Sequence, residues 1–279
     1  MKEIVFIADM FKEQLPGGGE SNDFVLIQHL QSQGYVVNKV LCHNVDDNLI
    51  SSHQTFIIGN FIQLSEEYKH KLRKKKYIIY EHDHKYLKSR DPSVYTNFIA
   101  PIHELVNEAF FKNAHAVVVL SNICEEIIKA NLQLDNLYNI GCSLWTDEKL
   151  NYIKMLSDTE KSKEYAILRS PNPVKGFSQA IDFCSKNNIQ FDIIEPCEAK
   201  SLLTKLAQYK VLVFFPQVLE TFCRLATEAK MLNCKLLTKK KMLGFASEDC
   251  FKLQGKELIN DITQRRNRAY ELFTSLIKD

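Results

Sequence analysis

Short apolar runs alternate with amphipathic stretches along nearly the whole chain, and this alternation narrows the possible folds more than any other feature. In the first half the runs are EIVFIAD, YVVNKVL, TFIIG, KYIIYEH, AVVVLS and NLYNIG. Between them, SNDFVLIQHLQSQG, SEEYKHKLRKKK, PIHELVNEAFFKNA and NICEEIIKANL carry apolar residues at helical spacing. Apolar strands separated by helices call for parallel sheets covered on both faces, because each crossover helix lies over the sheet it connects. The second half repeats the pattern: YAILR, FDIIE, VLVFFP and KLLT alternate with helices beginning near Lys175, Glu198 and Phe222. Strand signals lapse between Gly141 and Lys163, where the polar helix DEKLNYIKMLSDTEKSKE joins the halves. The expected fold class is α/β, with two Rossmann-like doubly wound domains facing a central cleft, the first over 1–143 and the second over 144–261.

Composition excludes several classes. At 279 residues, 45% hydrophobic and 25% charged, the chain is long enough for two domains with their own cores. A net charge of +2 gives no whole-molecule attraction to nucleic acid or anionic membrane, so such a partner must be met by a local patch. The eight cysteines form no C-x-x-C pair and read as reduced, mostly core residues of a cytoplasmic protein. No apolar run approaches the ~18 residues of a membrane span, and Met1 leads through Lys2 and Glu3 directly into a strand, so no leader is expected.

The densest chemistry lies in FFPQVLETFCRLATEAKMLNCKLL, a buried strand ending at Pro216, a short turn, and a helix opening near Phe222. A helix start above a strand end leaves backbone N–H groups that favour phosphate. Seven residues separate Glu220 from Glu228. The first acid would accept from sugar hydroxyls and the second would reach a ribose, as acids do in dinucleotide sites; taken alone, Glu228 fits a solvated helix residue equally well. Upstream, RSPNPVKG places Arg169, Lys175 and Gly176 between the strand YAILR and the amphipathic helix KGFSQAIDFCSKNN. In the first half, strand KYIIY runs into Glu81, His82, Asp83 and His84, a polar cluster at a strand end. An H-x-H pair suggests metal, but no third ligand is placed by sequence, and no D-x-D element sits at a strand end, so no metal is expected. Gly17, Gly18 and Gly19 follow the first strand and precede Glu20 and Ser21; the triplet reads either as a flexible turn or as a place of close backbone approach. It is not G-x-G-x-x-G, which disfavours a nicotinamide cofactor.

Taken in order and on these elements, the two glutamates with Arg169, Lys175 and Gly176 resemble the retaining sugar-nucleotide glycosyltransferases of family 4, which have the GT-B fold. The resemblance implies that Arg169 and Lys175 hold the donor diphosphate and that His82, Glu220, Arg169 and Lys175 form the catalytic set. It implies donor contacts from Gly18, Gly19, Asp83, Glu195, Thr221, Phe222, Cys223 and Glu228. The family's glycine-rich first turn faces the transferred sugar and the acceptor, and GGGE is similar to it. Its His-Asp matches His82 and Asp83, with His84 as a substitute. In the family the terminal helix crosses back to the first domain, which adds about 262–279 to that domain here. The sequence departs from the pattern at Cys223, where a glycine is usual, at Gln217 in place of serine, and at Cys234 in place of a glycine.

The chemistry implied is transfer of a sugar from a UDP or GDP sugar to a hydroxyl, with no other cofactor, because two fixed cations can neutralise the departing diphosphate. In the family, departure and attack are pictured on one face of the sugar, so Glu220 is not assigned as a nucleophile. The acceptor is expected to be a saccharide or glycoconjugate, with a hydroxymethylated DNA base as the alternative. An alternative of another class is a non-catalytic sugar-nucleotide-binding subunit, motivated by Cys223 and Cys234. Lys85, Lys88, Arg90 and Asp91 read as an acceptor wall or as solvated surface. The run 69–76 reads as a solvated helix end, and Lys239, Lys240 and Lys241 as cations on the cleft side.

Overall fold

The computed structural model describes residues 3–278. The expectation about a leader, which rests on Met1 and Lys2, lies outside them, as does Asp279. The chain divides into two compact units, 1–145 with 265–279, and 146–264.

In the first unit, β1 (Glu3–Ala8), α1 (Gly18–Ser32), β2 (Val36–Leu41), α2 (Asp47–Ser52), β3 (Thr55–Ile58), α3 (Glu66–Leu72), β4 (Lys76–Tyr80), α4 (Glu108–Lys112), β5 (Ala116–Val119), α5 (Asn122–Leu132) and β6 (Leu137–Asn139) succeed one another. The strands form one parallel sheet in the order β2-β1-β3-β4-β5-β6. Ile4 to Ala8, Phe56 to Ile58 and Tyr77 to Tyr80 are fully buried, as expected of central strands covered on both faces. The order reverses between β1 and β3, and in such sheets the crevice at the carboxyl ends of the two strands flanking the reversal receives ligands.

The second unit holds α6 (Asp147–Leu156), β7 (Lys163–Leu168), α7 (Phe177–Lys186), β8 (Asp192–Ile194), α8 (Ala199–Leu206), β9 (Tyr209–Val213), α9 (Arg224–Met231) and β10 (Lys235–Leu237). Its parallel sheet runs β10-β9-β7-β8, so the reversal falls between β7 and β9. A core of Ile167, Ala180, Cys184, Val213 and Phe215 fixes α7 against these two strands.

The final helix, α10 (Gly255–Lys278), begins before residue 262, where the resemblance set the start of the returning segment, and from Arg265 onward it belongs to the first unit. There Phe273 is fully buried and meets Tyr80 edge-on at 5.0 Å. Tyr270 stacks on His29 at 3.8 Å, and Arg266 donates to the carbonyl of the buried Trp145 at 2.9 Å.

Two helices differ from the sequence reading. The stretch 101–114 is a 3-10 turn (Ile102–Glu104) followed by the short α4, because Leu105 extends to bridge Leu87 and Asn107 turns left-handed (φ 57°). The Asn107 side chain secures that turn by donating to the Lys85 carbonyl (2.7 Å) and accepting from Lys69 Nζ (2.9 Å). The helix read over 65–76 stops at Leu72, where the Lys75 amide donates back to the Leu72 carbonyl at 2.8 Å. No helix among the described residues is long and apolar enough to cross a membrane. Because the Phe273 ring has no exposed surface, Phe273→Ala is expected to cost the first unit about 3–5 kcal/mol, to be measured by urea denaturation; a loss under about 1 kcal/mol would mean the helix end is not docked as described.

Candidate functional site

Each unit gathers its polar side chains at the reversal point of its own sheet. In the second unit the loop after β7 carries Arg169 and, through a 3-10 turn (Pro173–Lys175), leads Lys175 and Gly176 into α7. Gly176 has φ +69° and a Cβ placed on it would lie 1.7 Å from the Phe215 carbonyl oxygen. Only glycine fits, since both the left-handed backbone and the close approach exclude a side chain. The Gln217 amide donates to the Val174 carbonyl (2.8 Å) and its side-chain amide to the Phe215 carbonyl (2.5 Å). The first of these bonds clasps the loops after β7 and β9 together, and the second braces the loop after β9 itself.

This clasp brings Lys175 Nζ to 2.7 Å from Glu220 Oε1. Burial acts to lower the Lys175 pKa, but the Glu220 carboxylate outweighs it and holds the ammonium above the ordinary lysine range. Glu220 is fixed by its backbone: its amide donates to the Met242 carbonyl (3.1 Å) and its carbonyl accepts from Gly244 (2.8 Å). Arg169 Nε lies 2.9 Å and 2.8 Å from the two oxygens of Glu195, at the end of β8, with its guanidinium over the Phe177 ring. Glu228, in the second turn of α9, is buried and paired with Lys149 Nζ of α6 at 2.6 Å, so it is not a solvated helix residue. Lys149 carried no signal in the sequence beyond its charge, and only the packing of α6 on α9 selects it.

Three further expected donor residues follow Glu220. The Phe222 ring is 1% exposed and packs on Phe245 with centroids 5.4 Å apart, so it is a core residue and its side chain has no face for a ligand. Thr221 is half-buried. Helix α9 opens two residues later than the sequence suggested, with Cys223 as its N-cap at φ +82°. A non-glycine residue in this region carries strain, and it stands where the resembled family has glycine. Burial pushes the Cys223 thiol up, so it is a protonated thiol at neutral pH.

In the first unit, the expected glycine loop is instead helix: Gly17 is the N-cap of α1, with extended backbone, and Gly18 and Gly19 form its first turn. Gly19 is small for a packing reason. A Cβ there would sit 3.2–3.3 Å from His82 ring and Cβ atoms. His82 Nε2 lies 2.8 Å from Asp23 Oδ1, a partner on α1 that the sequence reading did not select. His84 points elsewhere: it is buried, left-handed (φ 58°), and bonded through Nδ1 to the Tyr86 hydroxyl at 3.1 Å, while its Nε2 has no hydrogen-bond partner. The two histidines therefore do not form a chelating pair, and no group of three His, Cys, Asp or Glu among the described residues is arranged to hold a metal ion.

Lys85 is not solvated either. Its ammonium is buried and donates to Glu81 Oε1 (2.9 Å), Asp83 Oδ1 (2.6 Å) and Asn60 Oδ1 (3.0 Å). Burial alone would lower its pKa, but Asp83 and Glu81 raise it. Asp83 resists burial in the same way, held below its ordinary value by Lys85 and then by Arg90, 3.0 Å away. Asp91 is likewise buried, capping the turn at Ser93. Above this network opens a cavity of about 480 Å³, reached by Glu20, Asn60, Asp83, Lys85, Lys88 and Arg90. Asp9, which follows β1, reaches the same cavity while its carboxylate accepts from the Ile62 and Gln63 amides at 2.7 and 2.8 Å.

No protein-family model matches the sequence, and no curated protein matches it. Solved structures do align. HepE of Anabaena, in complex with UDP and glucose, superposes with a TM-score of 0.59 at 11% identity, over 99% of this chain and 100% of that one. AviGT4, a glycosyltransferase involved in avilamycin A biosynthesis, gives 0.59 at 10% identity over 100% and 97%. An α-glucosyltransferase in complex with UDP and a 13-mer DNA containing an A:G mismatch gives 0.54 at 11% identity over 100% and 92%. This likeness establishes the fold as that of the GT-B glycosyltransferases.

Two measurements test the local geometry. Cys223→Gly is expected to stabilise the second unit by about 1 kcal/mol through relief of its left-handed strain, whereas Gly176→Ala should unfold or severely destabilise it; equal melting temperatures for the two variants would contradict the described backbone. Burial lowers the His84 pKa to about 4 from 6.5. The unfolded chain then takes up a proton near pH 6.5 that the folded chain refuses until about pH 4, so His84's contribution is full above pH 6.5 and is lost as pH falls through that window. His84→Asn, which tolerates the left-handed backbone, should remove a loss on the order of 3 kcal/mol, seen as a flatter stability profile in urea titrations across that range.

Proposed function

We propose that the protein is a glycosyltransferase that moves a sugar from a nucleoside-diphosphate sugar to a hydroxyl acceptor, with retention and without a metal. The observation that carries this reading is the Lys175–Glu220 pair, set beside the Gly176–Phe215 contact at the reversal point of a GT-B second unit. Cleavage of a glycosyl phosphate bond leaves added negative charge on the diphosphate, and fixed cations in a water-poor site lower the barrier to its departure. In this reading Lys175 meets the phosphates as a point charge and Arg169 presents its planar fork. Glu195 and Glu220 hold the two cations in place until the donor arrives. Glu220 then accepts from the sugar hydroxyls and Glu228, held by Lys149, from the ribose. In the first unit His82 is oriented by Asp23 and by the space Gly19 leaves, and the resemblance assigns it a role toward the transferred sugar. The likeness to structures that hold UDP supports a UDP-type donor. The acceptor is a saccharide or glycoconjugate, received in the polar cavity of the first unit.

A hydroxymethylated base in DNA is the second reading, favoured by the DNA-bound α-glucosyltransferase among the similar folds. It is opposed by a net charge of only +2. Purified protein incubated with UDP and GDP sugars should release nucleoside diphosphate, and release should rise with the true acceptor, tested as oligosaccharides against hydroxymethylated DNA. Lys175→Ala and Arg169→Ala should each lower kcat/KM about a hundredfold or more, with the fold intact by circular dichroism. Donor binding without turnover in every mixture would leave only the non-catalytic, sugar-nucleotide-binding reading.

A further inference from the structure

Three lysines stand in a row, Lys239, Lys240 and Lys241, on the loop that follows β10. The loop leaves the carboxyl end of its strand, the same end of the parallel sheet at which β7 and β9 release the loops carrying Lys175 and Glu220. It is fixed at both ends. It begins where the Phe214 amide donates to the Leu237 carbonyl (3.0 Å) and tightens as the Met242 and Leu243 amides donate to the Lys239 and Lys240 carbonyls (2.9 and 3.0 Å). It ends where Leu243 forms a bridge with Glu220, whose backbone is held by the Met242 carbonyl and the Gly244 amide. One loop therefore positions the acid that meets Lys175 and displays three cations one turn before it.

All three side chains are exposed, and none forms an ion pair among the described residues. Elsewhere exposed lysines commonly take an acid, as Lys112 does Glu108, Lys129 Glu125, Lys210 Glu164 and Lys256 Asp158. The acids near the triplet are committed or few. Glu220 pairs with Lys175 and Glu228 with Lys149, Glu248 is buried, and Asp249 is exposed without an ion pair among the described residues. Another lysine arrives instead: Lys230 Nζ and Lys240 Nζ lie 4.6 and 5.6 Å from the centroid of one ring, Phe251, and the Lys240 charge adds to burial in lowering the Lys230 pKa. Residues 230–256 carry seven lysines against two acids, an excess of five positive charges in a chain whose net charge is +2. A field of one sign beside a binding site raises the local concentration of opposite charge and speeds its arrival.

We infer that Lys239, Lys240 and Lys241 form a capture surface for the diphosphate of the donor, drawing it to Lys175 without taking part in bond cleavage. The inference rests on the transferase reading of that site, and the ligand class follows from it. A nucleoside-diphosphate sugar carries its charge on two adjacent phosphates. Lys175 and Arg169 already have Glu220 and Glu195 as partners, so the unneutralised positive field at this end of the second sheet comes from the loop after β10. Lysines are compact point charges on flexible stems, suited to attraction at a distance rather than to a fixed bidentate grip.

The test is the binding of UDP and GDP to the full chain by titration calorimetry at ~10 and ~150 mM salt, where the Debye length is about 30 and about 8 Å. The triple variant Lys239→Gln, Lys240→Gln, Lys241→Gln should bind roughly tenfold more weakly at the lower salt and about twofold more weakly at the higher. The charge-conserving variant Lys239→Arg, Lys240→Arg, Lys241→Arg should bind as the wild type does at both. In turnover the glutamine variant should raise KM and hold kcat within about twofold, the split expected of charges that act before the chemical step. Wild-type and glutamine-variant affinities that agree at both salts, or an arginine variant as weak as the glutamine one, overturn the assignment. So does a triplet that sets the affinity for duplex DNA while UDP and GDP binding stay unchanged, since the face would then serve a polyanion. Salt-dependent nucleotide binding with no nucleoside diphosphate released from any sugar donor counts against the transferase alone. Turnover with the same KM in wild type and glutamine variant counts against the capture alone, and a wild type that binds neither nucleotide overturns both.

Discussion

The approach of Gly176 to the Phe215 carbonyl is the contact on which the second unit's site depends. Two loops leave adjacent parallel strands at the point where the sheet order reverses, and they can converge only if one of them lacks a Cβ there. Once they converge, the Gln217 amide ties one to the other through the Val174 carbonyl, its side chain braces its own loop at Phe215, and Lys175 has one acid within reach. The cation does not choose Glu220 by charge alone, since Glu195 and Glu228 are also in the unit. It is placed there by the glycine beside it and by the backbone bonds that hold Glu220 to Met242 and Gly244.

The first unit solves a different problem, a lysine whose ammonium is out of water. Lys85 meets three acceptors, and each of them is itself positioned: Glu81 accepts from the Asp83 amide, Asp83 pairs with Arg90, and Asn60 donates to Glu20 at 3.0 Å. Removing one partner from such a network leaves a buried charge uncompensated, which is why its members act as a unit. The same network shapes the chain around it. It turns the backbone at His84, sends Asn107 back to the Lys85 carbonyl, and so fixes both ends of the stretch between them.

Local backbone conformation explains most differences between the sequence pattern and the structure. The glycine triplet opens helix α1, with Gly17 as its N-cap, and its value is the space Gly19 leaves for His82, not left-handed freedom. The stretch 101–114 has helical spacing of apolar residues, but Leu105 is drawn into a bridge with Leu87 and Asn107 restarts the chain in another direction. Lys85 and Asp91 look like surface residues in a polar stretch and are buried because their partners come from elsewhere in the chain or from a turn that closes on itself.

The sequence by itself determined the layered architecture. Apolar strands and amphipathic helices have periods that follow from backbone geometry alone, and a parallel sheet is the arrangement that buries both faces of such strands. It also marked the segment holding Arg169, Lys175 and Gly176 and the segment holding Glu220 and Glu228, because a glycine after a lysine at a strand end and acids around a helix start are local signals. Only tertiary structure decided the pairings: Lys175 with Glu220, Glu228 with Lys149, His82 with Asp23, Lys85 with Asn60. Each joins residues that are far apart in the chain, and a hydrogen bond of under 3 Å or so depends on how strands and helices pack, which periodicity does not encode.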